Sequence, residues 1–232
     1  MKVAIIQPNY IPWKGYFDII NMVDIFVLYD DVQYTVRDWR NRNRIKTKNG
    51  LIWLTIPTDG TQNKIIKDVK IVWDEKWNLK HWKSILINYH KASYFKDYKD
   101  FFEDLYLNTK EKYLWEIDLK FILAINQILG IKSKIICSSE LNYDRTLRKT
   151  ERLIAILKEV GATSYLSGPS AKNYIDEGLF ERENINLEWM DYSGYPEYPQ
   201  LYPPFVHEVS IIDLILNVGP DAKKYMKSFN QL

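Results

Sequence analysis

One cysteine, Cys137, among 232 residues leaves no disulfide framework and no thiolate metal site to consider. It sits inside an apolar run, where a thiol behaves as a small core side chain rather than a nucleophile. Histidine is nearly as scarce, with three residues, His81, His90 and His207, and no zinc-type spacing among them. Glycine, nine residues in all, forms neither a Walker A loop, nor a dinucleotide G-x-G-x-x-G, nor a G-x-S-x-G elbow. No apolar run approaches the length that spans a bilayer, and residues 1–15 lack the basic-then-apolar order of a secretory signal. A cytoplasmic protein with no membrane span is therefore expected. A net charge of +2 and the lack of any nucleic-acid motif argue against a nucleic-acid partner. Repeats and low-complexity tracts are missing too.

What is present is a globular composition, 46% hydrophobic and 27% charged, with 8 Trp and 17 Tyr, many of them in segments that read as loops. The length suits a single α/β domain over residues 1–232, with a core of about 1–73 and 131–232 and a helical insertion over 74–130. Val3 to Ile6 reads as a first buried strand, Tyr16 to Met22 as an amphipathic helix, and Ile25 to Tyr29 as a second strand. Asn49-Gly50, between Arg44–Thr47 and Leu51–Ile56, marks a β-hairpin. Asp68 to Trp73 adds a further strand, and three helices are expected over Glu75–Tyr89, Tyr94–Tyr106 and Lys112–Leu129. Strands then recur at Lys134–Cys137, Ser164–Leu166 and Ile185–Met190, with a helix at Leu147–Val160. Tyr192 to Pro204, with four prolines and four tyrosines, is an irregular loop, and helices at Glu208–Asn217 and Pro220–Phe229 follow. This alternation predicts a Rossmann-like, mainly parallel sheet carrying a hairpin and a helical insertion.

In such sheets ligands settle where strands end and helix N-termini begin. The turn after the first strand, Gln7-Pro8-Asn9-Tyr10-Ile11-Pro12-Trp13-Lys14-Gly15-Tyr16, is unusually decorated. Gln7 and Asn9 offer amides, Tyr10 and Trp13 offer ring walls, and Lys14 suits an anion, though the same rings could simply cap the sheet. Asp30, Asp31 and Gln33 follow the second strand. Asp30 is a candidate general base, with helix or turn capping the plainer role. Arg37 to Lys48 holds six basic residues and one acid, Asp38. Arg40, Arg42 and Arg44 would share one face of an extended strand and suit a diphosphate, or would merely guard a solvated hairpin edge. Ser167-Gly168-Pro169-Ser170-Ala171-Lys172 follows a later strand. Ser167, Ser170 and Lys172 there suit a phosphate as well as an ordinary capped turn. His207, ahead of a predicted helix containing Ser210 and Asp213, is the other acid/base candidate; His81 and His90 read as surface or core-edge residues. No metal ligands and no cofactor are assigned.

The opening signature Gln7 to Asp18 resembles that of the WbqC-like family. Asp30-Asp31-Val32-Gln33-Tyr34 with Trp39 to Asn43, Tyr165-Leu166-Ser167-Gly168, and His207 to Leu214 agree with it in the same order. The resemblance implies a bacterial protein of surface-polysaccharide (O-antigen type) biosynthesis and a nucleotide-linked sugar or other small molecule as partner. The expectation is a transferase that moves a small acyl or aminoacyl group onto the amine of a nucleotide-linked amino sugar. Two alternatives stand beside it: a non-catalytic nucleotide-sugar or glycan-binding protein, and an ATP-dependent nucleotidylyltransferase or ligase. The last is similar in its strand-turn-helix start and late Ser/Lys loop, but Gln7 and Tyr10 stand where that superfamily carries histidines.

Overall fold

A computed structural model describes residues 1–73 and 76–230. Five strands, β1 (Lys2–Ile6), β2 (Ile25–Leu28), β5 (Lys134–Cys137), β6 (Ser164–Ser167) and β7 (Asn186–Trp189), form one sheet in the order β5-β2-β1-β6-β7. Every pairing is parallel, with Val3 opposite Ile25 on one side of β1 and Tyr165 on the other. Between β2 and β5 the chain inserts a two-stranded antiparallel hairpin, β3 (Arg42–Thr47) and β4 (Gly50–Thr55), then α2 (Trp77–Tyr89), α3 (Phe95–Leu107) and α4 (Leu114–Leu129).

Side chains alternate across the strands, so each strand feeds two cores. Val3, Ile5 and Val27 pack beneath α5 (Lys149–Glu159) and α6 (Glu177–Arg182) through Leu153, Ile156, Leu157 and Phe180. Ala4, Phe26 and Leu28 face the larger cluster with α1 (Lys14–Asn21), α2 to α4 and α7 (Ile211–Val218). Helices on both faces bury the apolar runs that the sequence shows. Chain direction across the sheet reverses at β1: β2 and β5 lie to one side, β6 and β7 to the other. Among the described residues, no helix is long and apolar enough to cross a membrane.

Helix ends follow local chemistry. Glu116 Oε2 accepts from the Tyr113 amide at 3.0 Å at the start of α4, and Gly130, at φ 68°, closes it. Four expectations shift. The hairpin loop is Lys48-Asn49, because Thr47 pairs with Gly50 and Gly50 adopts φ 108° within the first pair. Residues 68–73 form no ladder: Ile66–Asp68 is a 3₁₀ turn, and Lys70 and Ile71 each make an isolated bridge to a different neighbour, Tyr113 and Thr58. The last α-helix starts at Ile211 rather than Glu208, since Ser210 Oγ accepts from the Ile212 amide while the Ser210 amide bonds to Arg44 O. A 3₁₀ helix, Gly219–Tyr225, replaces the helix expected from Pro220 to Phe229 and begins at a Gly219 with φ 55°. The expected start of α2 at Glu75 lies outside the described residues.

Candidate functional site

A crevice of about 490 Å³ opens beyond the carboxyl ends of β1 and β6, where the strand order reverses. Ile5, Ile6 and Tyr165 form its apolar base, and Tyr29, Tyr174 and Tyr192 stand around it. Its polar groups are Gln7 from the opening turn, Ser167 and Ser170 from the β6 loop, Arg40, and Lys149 at the first turn of α5. Among the described residues, no Asp or Glu lines it. Lys149 holds a left-handed φ of 47°, and no side chain caps the α5 N-terminus. First-turn amides of α5 thus lack a side-chain partner where a lysine also stands, an arrangement that attracts anions.

Arg40 is the best-defined group of the crevice. Backbone bonds clamp its segment on both sides: the Tyr10 amide donates to Trp39 O at 3.0 Å, and the Ile56 amide to Asn41 O at 2.7 Å. The residue is 8% exposed. Its Nη1 donates to Gln7 Oε1, its Nη2 to Asp38 Oδ2 at 3.3 Å, and its Nε is buried with no partner. Burial pulls the guanidinium pKa down, and Asp38 opposes that shift. Asp118 lies within electrostatic reach but makes no hydrogen bond through either oxygen, and burial raises its pKa strongly toward the uncharged form. Arg40 is therefore a desolvated cation at a crevice wall that makes two side-chain hydrogen bonds from five N–H donors.

A second, smaller pocket of about 190 Å³ lies across the same opening turn, lined by Asn9, Pro12, Trp13, Trp39, Asn43 and Glu208. Trp13, in its lining, packs with its ring 5.2 Å from that of Tyr192, which lines the first. Among the described residues no group of three or more His, Cys, Asp or Glu gathers as metal ligands would.

A sequence model of the WbqC-like protein family matches residues 7–225, from the crevice amide to the turn after α7. The chain belongs to this family. It is also 42% identical to the uncharacterized protein Rv1507c of Mycobacterium tuberculosis (strain ATCC 25618 / H37Rv), over 99% of both chains. No solved structure matches it.

In this WbqC-like chain the remaining residues singled out by sequence fall in several places. Asn9 and Trp13 line the second pocket, and Gln33 joins Gln7 in a shallow depression where Gln33 Nε2 donates to Gln62 O at 2.7 Å. Tyr10 walls neither pocket. It is fully buried, and its hydroxyl meets His81 Nδ1 at 2.9 Å and Tyr106 Oη at 3.0 Å. His81 is accordingly a core residue rather than a surface one; its other nitrogen faces Thr55 O, and burial lowers its pKa to about 4.

Arg40, Arg42 and Arg44 do not form one row, because β3 begins only at Arg42. Arg42 and Arg44 lie instead on the outer hairpin face, 4.2 and 5.4 Å from the Trp53 ring. Lys172 leaves the crevice and packs 5.3 Å from the centre of Trp189. Asp30 is fully buried and already bonded to Ser138 Oγ, the Ser139 amide and Ser139 Oγ, so it caps the turn after β5 and faces no ligand. His207 packs at 4.6 Å against Phe205, with Nδ1 buried and unpartnered, and lines neither pocket. Burial first, then Lys14, lowers its pKa. Lys14 itself is brought down to about 8 by burial, although Asp18 opposes that shift. Asp213 does not serve beside His207. It accepts from Tyr89, Tyr198 and Gln200 and so anchors the Tyr/Pro loop. Cys137 is buried, with its thiol pKa pushed up to about 12.

Sequence reasoning missed Lys149, Tyr29, Tyr174 and Tyr192 as lining residues. Lys149 carried a usable signal: a cation at the first position of a helix, where acids are favoured, hints at an anionic ligand there, although Glu151 shares that turn.

Proposed function

We propose that this protein is a cytoplasmic transferase of surface-glycan biosynthesis with a Rossmann-like core, acting on a nucleotide-linked amino sugar. It adds a small acyl or aminoacyl group to the sugar's amine. The observation that carries the binding half is Arg40, a buried guanidinium at the wall of a crevice lined by cations, hydroxyls and rings and, among the described residues, by no acid. Arg40, Lys149 and the α5 amides hold the diphosphate, Ser167 and Ser170 donate to it, and the tyrosines flank the base or sugar. Counting the sheet's own strands in chain order gives 3-2-1-4-5, the start of the doubly wound nucleotide-binding order, and the crevice lies at its switch point. The reaction class rests on the WbqC-like resemblance and not on a catalytic group in the crevice.

A second reading, a nucleotide-sugar-binding protein without chemistry, is favoured by one finding: Asp30 and His207 both stay out of the crevice lining. Thermal unfolding with a panel of UDP- and dTDP-linked sugars tests the binding half. Saturation at a hundredfold excess over Kd should add about 2.7 kcal/mol of stability, and a panel that shifts nothing overturns the assignment. Incubating the bound sugar with activated acyl donors then separates the readings. Acylated product supports the transferase; its absence alongside tight binding supports the binding protein.

A further inference from the structure

The two pockets flanking the opening turn have opposite chemistry. The crevice is lined by cations and donors, whereas the second pocket is lined by the Asn9 side-chain amide, whose Oδ1 is buried and without a partner, and by Glu208. Among the described residues, Glu208 has neither an ion pair nor a side-chain hydrogen bond; its backbone carbonyl alone is engaged, by Arg44 Nη2 at 3.1 Å. Asn43 has no donor left for a ligand: its amide nitrogen donates to Tyr10 O and Ile11 O, and its oxygen accepts from the Arg44 amide. The remaining walls are Pro12 and the rings of Trp13 and Trp39.

Trp39 is also held in place. Its ring packs at a tilt of 41° against Trp53, 5.4 Å between centres, and Arg44 packs against both rings at 5.6 and 5.4 Å. An aromatic wall braced this way costs little entropy on binding. A pocket of about 190 Å³ is of a size to seat one sugar ring. A carboxylate beside indole faces favours a ligand that donates hydrogen bonds and carries positive charge, and the Asn9 amide adds an acceptor and a donor for its neighbouring groups.

We propose that the pocket formed by Asn9, Trp13, Trp39 and Glu208 is a second subsite that binds the amine-bearing pyranose ring of an amino sugar. Glu208 pairs with the ammonium, Asn9 Oδ1 accepts from the ammonium or a ring hydroxyl, and the indoles cover the apolar ring face. This deepens the proposed function and rests on it for the link between the amine and the nucleotide; capture of the amine itself needs only this pocket.

Calorimetric titration of the full chain with three neutral-pH probes tests it: methyl glucosaminide, methyl N-acetylglucosaminide and methyl glucoside. The free amine should bind at least tenfold more tightly than the other two. Glu208→Gln and Trp39→Ala, both at exposed positions, should each weaken it tenfold or more while UDP binding stays unchanged. Equal affinity for the N-acetylated sugar, or an amine affinity that Glu208→Gln leaves intact, overturns the assignment. Loss of nucleotide binding with amine binding retained would instead sink the crevice and spare this pocket.

Discussion

Replacing Arg40 by methionine removes one buried charge and keeps most of the side chain's volume. Two bonds disappear, to Gln7 Oε1 and Asp38 Oδ2, but so do a desolvated cation and an unpartnered Nε. The Asp38 side chain is 28% exposed and stays hydrated when its partner goes. These terms oppose each other, so the folded state should change by no more than about 1 kcal/mol in urea unfolding. Ligand binding has no such compensation. A charge-assisted bond to phosphate contributes roughly 1.5–3 kcal/mol, so affinity for a nucleotide diphosphate should fall about tenfold to a hundredfold or more. Calorimetric titration of wild type and Arg40→Met at low and high salt reads this directly, with a shallower salt dependence expected in the variant. A folded Arg40→Met protein whose Kd stays within twofold of wild type would refute the assignment of the crevice as an anion site.

Other outcomes follow from the packing. Tyr10→Phe should lose about 1–2 kcal/mol of stability, because its hydroxyl joins His81 to Tyr106, and leave nucleotide affinity unchanged; a large affinity loss would put Tyr10 back at the ligand. Gly15→Ala should destabilise by about 1–3 kcal/mol despite improving helix propensity, since the new Cβ would lie 2.3 Å from a Trp13 ring already packed on Tyr192 and Tyr195; an unchanged melting temperature would show that the ring moves freely. Burial lowers the His81 pKa to about 4, below its unfolded value, so its contribution is present above about pH 6.5 and lost as pH falls toward 4. The unfolding free energy from urea titrations should drop over that window by about 3 kcal/mol more in wild type than in His81→Asn; parallel profiles would mean the imidazole is not buried neutral. Cys137 should resist a thiol reagent until the protein unfolds, and fast labelling of the native state would contradict its burial.

The strand ends named from sequence do converge. Gln7 and Ser167 line one crevice because β1 and β6 are neighbours, and local patterning of apolar runs sufficed to place both. The hairpin was legible for the same reason, its loop shifting by one residue because strand pairing extends through Gly50. Asp30 read as a base because strand-end carboxylates often face ligands. Serines 108 and 109 positions away in the chain satisfy it instead, and no local pattern reports such partners.

The sequence by itself settled the family, the alternation of strands and helices and the decorated turn, since signature residues and hydrophobic period are local properties. It could not say which side of that turn each residue serves. Tertiary structure decided that: Gln7 faces the cationic crevice, Asn9 and Trp13 face the acidic pocket, and Tyr10 between them points into the core. A turn rigidified by two prolines sends successive side chains in different directions. Which of those directions are open depends on Arg40, α5 and α7, all distant in the chain and brought close only by the two-faced core.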